Sequence, residues 1–103
     1  GEHPLVRTHA ERGRRALFVN PGYTVGSRGM HPTESRALLD YLFEVMTHHA
    51  FQCRVRWAPG TLVMWDNRCT LHHPVPDYHG MRREMWRTTV CGEVPARTTS
   101  AAA

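Results

Sequence analysis

Residues 69–90, CTLHHPVPDYHGMRREMWRTTV, place His72, His73 and His79 beside Arg82, Arg83 and Arg87. Histidine and arginine are costly to bury without partners, so in a segment with strand-like alternation they meet either solvent or a ligand. Imidazole is the commonest metal ligand among side chains. Guanidinium offers a planar fork for carboxylate or sulfonate oxygens. Residues four apart in a strand share a face, about 13 Å apart. Arg83 and Arg87 have that spacing, with Met85 between them and Thr89 beyond, while Glu84, Trp86, Thr88 and Val90 take the opposite face. Pointing outward, the two arginines are solvated. Pointing inward, they form two separate sockets for anions beside His72.

Two metal sites can be built from residue types and spacing. A zinc cluster would draw on His72, His73, His79 and a cysteine, but structural zinc favours paired ligands at short fixed spacings, and none here fits cleanly. The step His9-Ala10-Glu11 with a later histidine would give two imidazoles and one carboxylate, the facial set of non-haem Fe(II) oxygenases. Such a step is common by chance, and a strand histidine more often makes a structural hydrogen bond than it binds metal. The pair His48–His49 ends a helical pattern, where such side chains satisfy the last carbonyls. His3 and His31 have no partner at a useful spacing.

The elements that must position these residues are legible in outline. Residues 3–9 and 16–20 read as two strands joined by the polar turn AERGRR, a hairpin. PGYTVGSRGM is a loop punctuated by Pro21, Gly22, Gly26 and Gly29. A helix is expected from Pro32 to about His48, with proline in the first turn and Glu34 favoured by the helix dipole. Leu38, Leu39, Leu42, Phe43, Val45 and Met46 form its apolar stripe, which is core rather than a cofactor site. Residues 51–57 alternate strictly, with Phe51, Cys53, Val55 and Trp57 on one face. Further strands are expected over 61–65, 69–73 and 83–92, separated by APG, DN and the prolines at 74 and 76. The tail from 96 is small and polar and is expected to be disordered. About six mainly antiparallel strands and one packed helix make a sandwich or jelly roll the natural class.

At 103 residues the chain is at most one domain, and 41% apolar with 21% charged residues is ordinary for a globular protein. The formal charge is +4, and all 13 basic residues are arginine. They are spread along the chain rather than gathered on one face with aromatic platforms, so no nucleic-acid partner is expected. No membrane partner is expected either, as no apolar run is long enough to span a bilayer and the start shows no signal-peptide pattern. Cys53, Cys69 and Cys91 have no paired spacing and lie in apolar runs. That predicts reduced, packed thiols in a cytoplasmic protein. The start at GEHPLVRTHA, without an initiator methionine, reads as part of a longer protein.

HPLVRTHAERGRRALFVNPGYT, then ESRALLDYLFE, then FQCRVRWAPGTLVMWDNRCTLHHPVPDY and RREMWRTTV together resemble the C-terminal part of the taurine/2,4-dichlorophenoxyacetate (TauD/TfdA) dioxygenase family, from His3 to about Pro95 in unbroken order. The resemblance implies residues 1–95 of a double-stranded β-helix, or jelly-roll, domain, with Fe(II), 2-oxoglutarate and O2 as cofactor and co-substrates. It implies His72 as the distal iron-ligating histidine and Arg83 as the partner of the far carboxylate of 2-oxoglutarate. Arg87 would hold the anionic end of a sulfonate, sulfate ester or aryloxyalkanoate substrate. Trp65, Asp66, Asn67 and Arg68 match the family's WDNR turn, read as orienting the His72 strand. Trp65, Asn67 and His73 would wall or support the pocket, and Asp77 and Tyr78 match a shared DY step. His73 stands where relatives often carry an aromatic residue. The family's H-x-D motif lies upstream of these residues, and His9-Ala10-Glu11 falls instead in its THPETGR hairpin. The segment therefore carries one of three iron ligands and no catalytic residue of its own. It is expected to be inactive without the missing N-terminal half, in a protein expected to be a homo-oligomer. A non-enzymatic remnant or interaction module of the same fold is the alternative.

Overall fold

The computed structural model describes residues 1–98. The expected hairpin is present. Strand β1 (Val6–Thr8) pairs antiparallel with β2 (Arg15–Leu17) in the register Val6 to Leu17, Arg7 to Ala16 and Thr8 to Arg15. Backbone bonds from Phe18 N–H to the Leu5 carbonyl and from His9 N–H to the Arg14 carbonyl, both 2.8 Å, extend the pairing beyond the strands proper. Gly13 closes the turn at φ +65°, a left-handed conformation that side chains with a Cβ avoid. Ala96 and Thr98 lie along the same strand. Thr8 N–H donates to the Ala96 carbonyl at 2.9 Å, and Thr98 N–H donates to Thr8 Oγ1 at 3.0 Å. Residues 96–98, expected to be free, are thus held against β1, and the rest of that tail lies outside the described residues.

The helix α1 (Pro32–Met46) begins where the sequence places it. His31, to which spacing assigned nothing, is its N-cap: Nδ1 accepts the Thr33 N–H at 3.2 Å, satisfying one of the unpaired donors of the first turn. Leu39 is completely buried, with Leu38, Leu42, Phe43 and Met46 half-buried beside it. Val45 is exposed, so the apolar stripe is narrower than expected. Ser35, also buried, accepts the Ser27 N–H at 2.7 Å and ties the preceding loop to the helix. At the other end the side chains of the histidine pair do not bond the last carbonyls, although the His48 backbone N–H reaches the Val45 carbonyl at 3.3 Å. Thr47 does so, its hydroxyl donating to the Phe43 carbonyl at 2.7 Å. His48 instead caps the 3-10 turn His49–Phe51 by accepting the Ala50 N–H.

The strands expected over 51–57, 61–65, 69–73 and 83–92 are not formed among the described residues. A strand exists only through a lateral backbone partner, and the backbone bonds of residues 52–92 are local: Thr61 to Ala58, Cys69 to Asp66, Asp77 to Val75 and Met81 to Tyr78. Their apolar faces are accordingly uncovered, including Val55, Trp57, Leu62, Met64, Val90 and Trp86, the last 91% exposed. Cys53, Cys69 and Cys91 are free but exposed, against the expectation of packed thiols. The buried apolar core consists of Val19 and Leu39. No helix among the described residues is long and apolar enough to cross a membrane.

Candidate active-site segment

The turn at 65–69 is built by its own side chains. Asp66 Oδ1 accepts the Arg68 backbone N–H at 2.9 Å, and the Cys69 N–H reaches the Asp66 carbonyl at 3.3 Å. Aspartate favours such turns because its carboxylate mimics a backbone acceptor two residues back. The Arg68 guanidinium then grips the same carboxylate through Nε and Nη2, each at 2.9 Å. It also reaches Glu11 at 2.7 Å and Glu93 at 3.5 Å.

This turn is fastened to the hairpin across 57 positions of sequence. His9 is 6% exposed, and its Nε2 lies 3.0 Å from Asp66 Oδ2. The Arg12 N–H donates to His9 Nδ1 at 3.3 Å, so Nδ1 is the acceptor nitrogen and Nε2–H donates to the aspartate. Arg68, and then His9, hold the Asp66 carboxyl well below the usual carboxylate range, and Asp66 in turn raises the Arg68 guanidinium. Glu11 is lowered chiefly by its hydrogen bond from Arg68. Arg7, 3% exposed, donates to Glu93 at 2.9 Å and covers the Phe18 ring at 4.8 Å. The role of His9 as a strut was not legible in H-x-E spacing, because its partner is remote in sequence.

His9, Asp66 and Cys69 bring one donor atom each within 4.8 Å of one another. Both Asp66 oxygens already receive N–H donors and the Arg68 charge neutralises the carboxylate, so this grouping is an ion-pair strut rather than a cation site. The alternative zinc set of His72, His73, His79 and a cysteine is not brought together among the described residues. Glu11 is taken by Arg68, and it does not join a later histidine to complete a facial triad.

His72 is exposed, and its ring packs on Trp65 with centroids 4.6 Å apart and planes tilted by 43°. Trp65 is itself fixed by the bond from Nε1–H to Asn67 Oδ1 at 2.8 Å. The two residues expected to support the pocket thus form one unit under the imidazole, and neither nitrogen of His72 has a hydrogen-bond partner among the described residues. His73 is exposed and makes no such contact. Arg83 lies over the Tyr78 ring at 5.1 Å, while Arg82 pairs with Glu84. Arg83 and Arg87 have no carboxylate partner among the described residues. The segment is not a strand, so the shared face expected for them is not formed. What it offers is an imidazole with free nitrogens and two guanidinium groups with free donors.

The model of the family described as taurine catabolism dioxygenase TauD, TfdA matches residues 1–89. The chain belongs to this family. It is 44% identical over 95 residues to the alpha-ketoglutarate-dependent dioxygenase cnsM of Penicillium expansum, covering 90% of this chain and 26% of that protein. It is 45% identical over 86 residues to the alpha-ketoglutarate-dependent 2,4-dichlorophenoxyacetate dioxygenase of Cupriavidus pinatubonensis, covering 84% of this chain and 30% of that protein. An alkylsulfatase of Acinetobacter baylyi is 36% identical over 93 residues, covering 90% of this chain and 29% of that protein. The chain thus spans less than a third of the length of these curated relatives. Alpha-ketoglutarate-dependent dioxygenases of the family use Fe(II), 2-oxoglutarate and O2, and the family fold is a jelly roll.

Proposed function

We propose that residues 1–95 are the C-terminal portion of a jelly-roll dioxygenase domain that hydroxylates a small anionic substrate with Fe(II), 2-oxoglutarate and O2. The observation that carries this reading is the family match over residues 1–89 combined with an imidazole and two guanidinium groups left unspent at His72, Arg83 and Arg87. His72 fits iron as one ligand of a facial set, since its ring is supported by Trp65 and its nitrogens are free. The other two ligands would come from the remainder of the domain. When bound, the metal supplies oxygen activation coupled to decarboxylation of 2-oxoglutarate. Arg83 would take the far carboxylate of 2-oxoglutarate, and Arg87 the anionic end of the substrate. His73 would stand at the pocket lip. The same remainder would cover Val55, Trp57, Leu62 and Met64 and supply lateral partners to the extended segments after residue 51. A homo-oligomeric state and a cytoplasmic location belong to this reading.

The names of relatives that act on 2,4-dichlorophenoxyacetate, sulfonates and alkyl sulfates, and the taurine of the family name, support an aryloxyalkanoate, sulfonate or sulfate ester as substrate. The test is succinate formation by the full-length protein with one substrate of each kind. We expect turnover with at least one, a selective rise in that substrate's KM in Arg87→Ala, and no turnover by residues 1–103 alone. Succinate made by the isolated segment, or Arg87→Ala indistinguishable from wild type, would contradict the assignment. A full-length protein that makes no succinate with any of the three would favour the non-enzymatic remnant.

A further inference from the structure

The hairpin turn carries a second set of arginines that the proposed reaction does not use. Arg12, Arg14 and Arg15, with His9, Ala16 and Cys69, line a cavity of about 140 Å³. That space exceeds a few water molecules at about 30 Å³ each and suits one tetrahedral oxyanion with its nearest waters. None of the three guanidinium groups has an ion-pair partner among the described residues. Arg7 and Arg68 offset two of the three nearby carboxylates, Glu11, Asp66 and Glu93, and one negative charge remains. His9 at the floor spends both nitrogens, one on the Arg12 N–H and one on Asp66. With Arg12, Arg14 and Arg15, which line the cavity, the surroundings keep an excess of two positive charges. The left-handed Gly13 folds the turn between Arg12 and Arg14, and a Cβ there would meet nothing within 4 Å, so the glycine serves the backbone and not a contact.

We propose that this cavity binds a small, doubly charged tetrahedral oxyanion, such as phosphate, sulfate or a phosphomonoester head, at a site separate from Arg83 and Arg87. Guanidinium forks match such oxygens in pairs. Rising ionic strength is expected to weaken the site, because its walls are exposed. The site is independent of the iron assignment and stands or falls without it.

Cys69, on the cavity wall, reports on the site directly. In the full-length protein, modification of Cys69 is followed by mass spectrometry on the tryptic peptide of residues 69–82, with the rates of the same reagents on the neutral thiol 2-mercaptoethanol as the reference. The reagents are the dianionic disulfide 5,5′-dithiobis(2-nitrobenzoate) and the neutral 4,4′-dithiodipyridine. In both reactions the Cys69 thiolate attacks one sulfur, the reagent disulfide breaks and an aryl thiolate leaves. Each unit charge within a Debye length changes the rate for an anionic reagent by about two- to threefold, so an excess of two gives roughly four- to ninefold. We expect Cys69, relative to 2-mercaptoethanol, to prefer the dianionic reagent by about that factor at low salt, and millimolar inorganic phosphate to slow it. Arg12→Gln/Arg14→Gln/Arg15→Gln should abolish both effects, whereas the corresponding triple lysine variant should keep the rate preference. Stronger protection by glycerol 3-phosphate than by phosphate assigns the site to a phosphomonoester head, and the reverse assigns it to the free anion. No preference at Cys69, a preference that survives in the glutamine variant, or no protection by either anion would overturn the proposal.

Discussion

Truncating Arg83 should damage the use of 2-oxoglutarate far more than the use of the hydroxylated substrate. Arg83 has no carboxylate partner among the described residues and is steadied only by the face of Tyr78 at 5.1 Å. Its donors are therefore free to meet an incoming carboxylate without first breaking an ion pair. A hydrogen bond to a charged group contributes about 1.5–3 kcal/mol, and about 1.4 kcal/mol is tenfold in affinity. Arg83→Ala should accordingly raise the KM for 2-oxoglutarate by roughly 10- to 150-fold. Arg83→Lys should fall between, since it keeps the charge and loses the planar fork. The ring of Tyr78 contributes less: an exposed cation–π contact is about 0.5–1 kcal/mol, so Tyr78→Leu should raise the same KM about two- to fivefold. The assay is succinate formation by the full-length protein, titrating 2-oxoglutarate at saturating substrate and then the reverse. If Arg83→Ala leaves the 2-oxoglutarate requirement unchanged and shifts only the substrate's KM, the reasoning is refuted.

Leu39 is the side chain removed completely from water, so Leu39→Ala in the full protein should cost about 2–5 kcal/mol, read as a lower midpoint in urea. Val45→Ala, on the exposed side of α1, should cost far less in the same titration. Acid should loosen the strut between turn and hairpin. The folded Asp66 carboxyl titrates below its unfolded value of about 3.9. Its contribution is therefore complete above that value and is lost as pH falls from about 4 toward the folded value. Thermal unfolding followed from pH 6 to pH 3 should show this loss in wild type and a flatter profile in Asp66→Asn.

The hairpin and helix were legible because their signals are local. Four charged residues and a glycine between two short apolar runs dictate the turn, and Pro32, Glu34 and a 3.6-residue apolar period dictate α1. The segments after residue 51 alternate like strands, yet alternation specifies only which faces a strand would present. The lateral partner that turns Phe51–Trp57 or Arg83–Gly92 into a strand is not encoded within the segment itself. The exposed cysteines have the same cause, since Cys53 and Cys91 lie on faces that nothing in residues 1–98 covers. At the site, the resemblance implies the turn at Trp65–Arg68 as a support for His72, and in the structure the Trp65 ring packs on the His72 ring and donates to Asn67. The anchoring of Asp66 by His9 and Arg68 joins residues 57 positions apart, and no spacing rule within either segment points to it.

The central claim, that His72 is the iron ligand supplied by this part of the domain, is tested most directly by metal binding. Fe(II) affinity is measured anaerobically by equilibrium dialysis for the full-length protein and its His72→Ala, His9→Gln and His73→Ala variants. Loss of one of three protein ligands should weaken binding by roughly 100-fold or more, beyond the 10- to 100-fold typical of residues behind the ligands. The account predicts that loss in His72→Ala, with near-wild-type affinity in His9→Gln and His73→Ala. Undiminished iron binding by His72→Ala, or an equal loss in His9→Gln, would contradict it.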